Sequence, residues 1–461
     1  MYKVKLPEKT LLAEDGALLS HVLQEHSIPF SHPCGGNGTC RKCTVLVDGK
    51  PELSCRYIIH KDISVILPTD QEIYAPSGAA ENGRYSDHMC YALDLGTTTL
   101  ALALVSLDEK KIVRVATANN PQRAYGADIM SRISYCEKNS QSDLFSCLVP
   151  VIEQLIGSFE IPNRLPLYVA GNTTMLHLLF GENCRSIGVA PYTPVFLESK
   201  TARGLFRGVS EIYSLPNIHS FVGADVVAGL YHIGMPQHGK YRLLVDLGTN
   251  AEIVLYSDEH ALCTAAAAGP CFEGACIQNG MGALPGAICE ASFENGGLEY
   301  KTIGDKNAVG ICGTGLVDLV AALLARGIID ETGALEDESY PITENVSLYA
   351  SDVRQFQLAK SAVYSAILAL LHIEGIGFSD IDALYISGGF SSKINIGHAA
   401  AVGLLPAEMK DKCIAVGNSS LLGTVKYAIE QNDLTPYTGA KYIDLAADAE
   451  FTRLFVENMM F

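Results

Sequence analysis

Positive charge is in short supply in this 461-residue chain: 33 Lys+Arg stand against 51 Asp+Glu, a formal charge of −18. That balance argues against a non-specific nucleic-acid binder or a membrane-surface protein, both of which need clustered cationic side chains. No apolar run approaches the roughly 18 residues of a bilayer span, and the most apolar stretch, near 361–371, reads as a core helix. The start, Met1-Tyr-Lys-Val-Lys-Leu-Pro-Glu-Lys, lacks the apolar block of a secretory leader, so a cytoplasmic location is expected. A Walker-type phosphate loop is also missing. Gly234-Met-Pro-Gln-His-Gly239-Lys240 comes near one, but Tyr241 stands where the Mg²⁺-binding hydroxyl belongs, and a strand follows instead of a helix.

Apolar residues make up 48% of the chain and charged residues 18%, enough for a large core spread over about three domain-sized units. Fourteen cysteines in a reducing compartment read as ligands or buried small residues before they read as disulfides. Four of them, Cys34, Cys40, Cys43 and Cys55, fall within 22 positions. The spacing is C-x5-C-x2-C-x11-C, one residue longer in its first gap than the plant-type [2Fe–2S] loop. Gly35, Gly36 and Gly38 permit the positive φ angles of a loop that wraps a cluster, and a short hairpin through Asp48-Gly49 would deliver the fourth thiol. A structural zinc site usually pairs two C-x2-C knuckles and only one exists here; a dithiol redox pair at Cys40 and Cys43 is the other alternative. Cys263, Cys271, Cys276 and Cys289 are spaced irregularly among Ala and Gly and read as packing. Arg41, Lys42 and Arg56 lie in or beside the cluster loop, either as solvated charge or as a docking patch for an acidic donor.

Residues 1–68 read as a small β-rich unit of strand, helix and hairpin, a β-grasp arrangement. Residues 69–89, with Pro-Ser-Gly-Ala-Ala-Glu-Asn-Gly, read as a linker. Beyond it strands and helices alternate, an α/β pattern, and one element is repeated. Ala92-Leu-Asp-Leu-Gly-Thr-Thr-Thr-Leu-Ala returns as Val245-Asp-Leu-Gly-Thr-Asn-Ala-Glu-Ile, with Asp94 and Asp246 152 residues apart. That separation suggests two similar lobes, 90–238 and 239–461, and not a solenoid. In each copy a turn's N–H groups and Thr hydroxyls can hold phosphate oxygens, while the Asp holds Mg²⁺ through water. Ser387-Gly388-Gly389 after an apolar strand offers backbone to something flat such as an adenosine, or is an ordinary turn; Cys312-Gly-Thr-Gly is a similar candidate.

The two hairpins and Ser387-Gly-Gly resemble the phosphate-1, phosphate-2 and adenosine motifs of the acetate and sugar kinase/heat-shock/actin (ASKHA) superfamily. Joined to an N-terminal ferredoxin-like [2Fe–2S] unit, the whole chain resembles the ATP-dependent reductive activators of corrinoid-dependent enzymes. Asn120-Pro-Gln, Gly126-Ala-Asp-Ile-Met-Ser-Arg, Val169-Ala-Gly-Asn-Thr-Thr-Met, Val222-Gly-Ala-Asp-Val-Val-Ala-Gly, Ala268-Gly-Pro-Cys-Phe-Glu-Gly-Ala and Phe356-Gln-Leu-Ala-Lys carry the likeness further. The resemblance implies a [2Fe–2S] cluster on Cys34, Cys40, Cys43 and Cys55, and Mg·ATP on Asp94, Gly96, Thr97, Thr98, Thr99, Asp246, Gly248, Thr249, Asn250, Gly388 and Gly389. Asp225, 21 residues before Asp246, would position the attacking water, or is a helix-entry acid. The implied activity takes an electron from a low-potential donor such as a ferredoxin and returns a corrinoid protein from Co(II) to Co(I), with ATP driving the step. The implied partners include neither nucleic acid nor membrane, and a homodimer stays open. The compact length leaves little room between the linker and Asp94 for the additional middle domain of longer members. An activator of a non-corrinoid low-potential enzyme, and a nucleotide-sensing redox module without turnover, are the competing readings.

Overall fold

The computed structural model describes residues 1–6, 9–26, 43–66, 88–126, 128–294, 296–389 and 391–461. The N-terminal unit holds β1 (Tyr2–Lys5), β2 (Thr10–Ala13), α1 (Leu19–Glu25), β3 (Thr44–Val47), β4 (Lys50–Leu53) and β5 (Ile63–Ile66). Their order across one mixed sheet is β2-β1-β5-β3-β4, with β1 and β5 parallel. Val4, Leu11, Val45 and Val65 of the sheet bury against Leu19, Val22 and Leu23 of α1, the helical repeat that the sequence shows. The β3–β4 turn is Asp48-Gly49, both at positive φ (51° and 81°), the combination that matches the twist of a two-residue hairpin. The expected linker lies almost wholly outside the described residues, and its last residue, Met89, already begins the next strand.

The next lobe contains β6 (Met89–Leu95), β7 (Thr99–Ser106), β8 (Lys111–Asn119), α2 (Ile129–Lys138), α3 (Ser142–Gly157), β9 (Leu165–Gly171), α4 (Thr173–Phe180), β10 (Thr201–Ala202), β11 (Val209–Ser214) and α5 (Ala224–Ile233). The last lobe runs through β12 (Tyr241–Leu247), β13 (Ala251–Tyr256), β14 (Ala261–Ala266), β15 (Ala287–Glu294), β16 (Gly297–Thr302), β17 (Gly310–Ile311) and α6 (Gly313–Ala325). It continues with β18 (Ser339–Pro341), β19 (Ser347–Tyr349), α7 (Ala350–Glu374), β20 (Ile381–Ser387), α8 (Ile396–Ala401), β21 (Cys413–Gly417), α9 (Ser419–Glu430), α10 (Thr435–Thr438), β22 (Lys441–Tyr442) and α11 (Ala449–Glu457). The sheets follow the orders β10-β11-β9-β6-β7-β8 and β21-β20-β12-β13-β14-β22. In each, an antiparallel meander carries the Asp-Leu-Gly-Thr hairpin, and two parallel strands extend from its first strand. The repeat seen in one hairpin therefore extends to the whole sheet.

β6 is buried along almost all its length, which is why it reads as an unbroken apolar run and not as an alternation. The helices α5 and α9 exchange loyalties between the sheets. Leu421, Val425 and Ala428 of α9 pack on Cys90, Ala92, Ala101 and Ala103 of the first sheet. Val226, Val227 and Leu230 of α5 share a core with Leu244, Val254 and Tyr256 of the second. The two helices touch backbone to backbone, since a Cβ on Gly423 would collide with the Ala228 carbonyl. Helix α7 is long and apolar enough to cross a membrane by length and composition, yet most of it is buried inside its lobe. Its Val353, Phe356, Val363, Ile367 and Leu370 have no exposed surface, and each such side chain contributes about 1.5–3 kcal/mol on burial.

Candidate active site

Asp94 and Asp246 each stand one residue before the end of a strand, where the chain enters a Gly-Thr turn. The N-terminus of α9 reaches across to Asp94. Asn418 Nδ2 donates to its Oδ2 (2.8 Å) and Ser420 Oγ to its Oδ1 (2.7 Å). Burial pushes the Asp94 pKa up and these two bonds pull against it. Asp246 accepts from Ser387 Oγ at the end of β20 (3.0 Å), and that hydroxyl also meets Ser419 Oγ (2.7 Å). Burial, with a further push from Asp94, raises Asp246 to about 6.

Asp225 is the second residue of α5 and faces the same space. Burial first and Asp246 second raise it to about 7. Glu252, a residue the sequence reading passed over, lies directly across the β12–β13 ladder from Asp246. Burial, Asp225 and Asp246 hold it well above the ordinary carboxyl range. Burial of four carboxyl groups, with Asp94 acting on Asp225 and Asp246, Asp246 on Asp225, and both of these on Glu252, favours a proton or a cation among them. Among the described residues no three His, Cys, Asp or Glu side chains form a group that could hold a metal ion directly.

The turns differ in length: Leu95 pairs with Leu100, leaving four residues between them, whereas Leu247 pairs with Ala251, leaving three. The Thr97 and Thr98 N–H groups have no partner among the described residues. In the second turn Gly248 N–H closes on Asn250 O (2.9 Å), and Thr249 N–H is unpaired among the described residues. Gly388 sits at φ +107°, lying so close to the Leu247 carbonyl that a Cβ would collide with it; Gly389 borders open space. Gly388 therefore supports the second turn, and Gly389 alone faces outward. The Cys312-Gly-Thr-Gly candidate serves packing, with Gly313 against the Phe272 carbonyl and Gly315 against that of Ile288.

Glu273, across the cleft, places its carboxylate 3.4 Å from Thr98 Oγ1 and joins the lobes at the first turn. Asn418, Ser420 and Glu273 went unread in the sequence. Asn418-Ser-Ser carries a helix-start signature, with Asn418 capping Leu421 N–H at 2.8 Å, and Glu252 sits on the Asp246 face of a hairpin whose turn length was legible. Glu273 lies in the quoted segment Ala268-Gly-Pro-Cys-Phe-Glu-Gly-Ala, which gave it no role.

In the N-terminal unit the β3–β4 hairpin brings Cys43 and Cys55 together at its open end. Both thiols are buried and their sulfurs are 3.1 Å apart. Cys34, Cys40, Arg41 and Lys42 lie outside the described residues. Cys263 and Cys271 are buried, Cys289 half-buried and Cys276 exposed, and among the described residues they form no metal-binding group.

Family models match the chain over residues 89–238, described as the RACo middle region, and over residues 240–461, described as the C-terminal domain of RACo, the ASKHA domain. The chain belongs to the RACo family. The resemblance to reductive activators drawn from the motifs stands, and the ASKHA assignment holds for the C-terminal lobe. The RACo middle-region model falls on the stretch read as the first lobe. The corrinoid activation enzyme RamQ of Eubacterium limosum is 28% identical over 433 residues, covering 84% of this chain and 72% of that protein. The [Co(II) methylated amine-specific corrinoid protein] reductase of Methanosarcina barkeri is 26% identical over 382 residues, covering 74% of this chain and 70% of its own. A solved reductive activator for corrinoid, iron-sulfur protein superposes with a TM-score of 0.73 at 24% identity, covering 100% of this chain and 98% of that one. That likeness is one of fold.

Proposed function

We propose that this RACo-family chain is an ATP-hydrolysing reductive activator, which takes an electron from a low-potential donor and returns an inactivated corrinoid protein from Co(II) to Co(I). The names of its relatives support an enzymatic activator acting on a corrinoid protein. The observation that carries the nucleotide part is the set Asp94, Asp225, Asp246 and Glu252, whose mutual repulsion calls for a cation, bracketed by two Gly-Thr turns.

Asp94 and Asp246 hold hydrated Mg²⁺ between the lobes in this reading. Thr97 and Thr98 N–H, with the Thr97, Thr98, Thr99 and Thr249 hydroxyls, bind phosphate oxygens; Gly248 and Asn250 complete the second turn, and Gly389 borders the adenosine. Asp225, with a pKa of about 7, is suited to accept a proton from the attacking water near neutral pH. The N-terminal unit is read as a ferredoxin-like β-grasp that holds a [2Fe–2S] cluster on Cys34, Cys40, Cys43 and Cys55. The sheet order around α1 and the approach of Cys43 to Cys55 support that reading. When bound, the cluster supplies one-electron transfer, at roughly −400 mV for plant-type centres. An acceptor 100 mV lower costs about 2.3 kcal/mol per electron, which a nucleotide-driven change in the complex can offset.

The test is anaerobic. A reduced low-potential donor and a Co(II) corrinoid protein are mixed with this chain, with ATP, without ATP, or with a non-hydrolysable analogue, and cobalt absorbance is followed. Rapid Co(I) formation with ATP alone is expected. Equal reduction without nucleotide rejects the coupling, and no reduction of any corrinoid partner transfers the reading to a non-corrinoid low-potential enzyme.

A further inference from the structure

The first phosphate turn is fastened from behind in a way the second is not. Asn120 Nδ2 donates to Gly96 O (2.8 Å), Arg132 Nη2 to Thr97 O (2.6 Å), and Asn120 N–H to Thr98 O (2.9 Å). Three consecutive carbonyls are thus tied to one side. In a trans peptide the C=O and the following N–H point in opposite directions, so the Thr97 and Thr98 N–H groups are turned the other way, toward the cleft, where they have no partner among the described residues. Arg132 is completely buried. Its remaining donors go to Gly126 O (3.0 Å), Gln122 Oε1 (3.2 Å) and Met175 Sδ (3.1 Å), and Gln122 is itself anchored by Nε2 to Leu144 O (3.0 Å). Every one of these acceptors is neutral, and among the described residues no carboxylate lies within ion-pair distance of the guanidinium. A buried charge without a counterion is costly unless an anion arrives.

We propose that Arg132, with Asn120, is the positioning element of the first phosphate loop. It turns three carbonyls away from the nucleotide and leaves a buried cation behind the bound phosphates, so that the polyphosphate is its counterion. Burial pulls the guanidinium pKa down to about 9, with Arg123 adding to the effect and the more distant Cys147, Asp128 and Glu273 opposing it, which still leaves it charged at neutral pH. The inference rests on the nucleotide reading above and concerns the phosphates only, not the adenosine.

Calorimetric titration of the full chain with MgATP and with adenosine tests it in wild type, Arg132→Gln and Arg132→Lys. Loss of a charge-assisted bond predicts MgATP binding about 10- to 100-fold weaker in Arg132→Gln, with adenosine binding nearly unchanged. Arg132→Lys keeps the charge but fewer donors, and should recover part of the loss. A wild type that binds no MgATP overturns the nucleotide reading and this inference with it. A wild type that binds MgATP, beside an Arg132→Gln that binds it as tightly or loses MgATP and adenosine in equal proportion, overturns the inference alone. Should Arg132→Gln not fold, Arg132→Lys decides by the same ratio: selective weakening of MgATP supports the assignment, and an unchanged ratio rejects it.

Discussion

The two lobes that follow the N-terminal unit share a scaffold and differ at equivalent positions. Asp94 faces Ala101 across its ladder, whereas Asp246 faces Glu252. Beside them on the parallel neighbour stand Ala170 and Ser387. The helices that follow β11 and β21 carry Asp225 and Ser420 as their second residue. Each helix addresses the other half's aspartate or its own, and the outcomes are opposite. Ser420 donates to Asp94 and steadies it, while Asp225 gains no such donor among the described residues and is raised by burial and by the charge of Asp246. The turns repeat the contrast, the first held by Asn120 and Arg132 and the second closed on itself. In this duplicated frame the surroundings of Asp94 hold still, while those of Asp246 gather protonatable groups from both halves.

The largest effect that tests this contrast is on turnover. Asp225→Asn should slow phosphate release by about 10²–10⁴-fold, with MgATP binding kept or tightened because a repelling carboxylate is gone. The equivalent change in the other half, Ser420→Ala, removes one donor to Asp94 and should cost turnover far less. Equal losses in the two variants would break the comparison.

Stability offers the next test. Gly388→Ala places a side chain at φ +107° and against the Leu247 carbonyl, and should lose on the order of 3 kcal/mol in chemical denaturation. Gly171, which meets the equivalent Leu95 carbonyl, would put a Cβ 2.8 Å from it without a positive φ. Gly171→Ala should therefore cost less. The reverse order would mean that the two parallel strands are not equivalent supports.

What was legible in the sequence follows from this duplication. The hairpins announced themselves because Asp-Leu-Gly-Thr is local and repeated, and Asp48-Gly49 announced its turn because few residues accept two positive φ angles in succession. The remainder of the repeat was hidden. Val169-Ala-Gly-Asn and Ile386-Ser-Gly-Gly share little beyond a glycine, although Gly171 and Gly388 do the same work against Leu95 and Leu247. Asn418 reaches Asp94 across 324 residues, a pairing that no periodicity encodes. Glu252 is the instructive omission, since a three-residue turn places it on the Asp246 face by counting alone.

Glu252 also supplies a smaller effect. Glu252→Gln leaves the ladder intact and removes one charge from the surroundings of Asp246. The Mg²⁺ concentration for half-maximal ATP hydrolysis should rise, while the protein without nucleotide becomes more resistant to denaturant. No change in the Mg²⁺ requirement would place Glu252 outside the cation's field.

The smallest effect is a dependence of stability on pH, and its sign is opposite to that of ordinary acid denaturation. Asp225 and Asp246 titrate at about 7 and about 6 in the folded chain, against an ordinary value of 3.8. Between roughly pH 4 and 7 the folded protein therefore holds more protons at these groups than the unfolded chain does, and stability falls as pH rises through that window. Their contribution is fully present below the unfolded pKa and is lost once both groups ionise against each other and Glu252. Asp225→Asn cannot lose that proton, so its stability relative to wild type should grow from pH 5 to pH 8 in denaturant titrations without nucleotide. MgATP should flatten the wild-type slope, because a cation takes over the role of the protons. A difference between wild type and Asp225→Asn that stays constant over this range would show that Asp225 ionises as an ordinary carboxylate, and the surroundings of Asp246 would then be no more strained than those of Asp94.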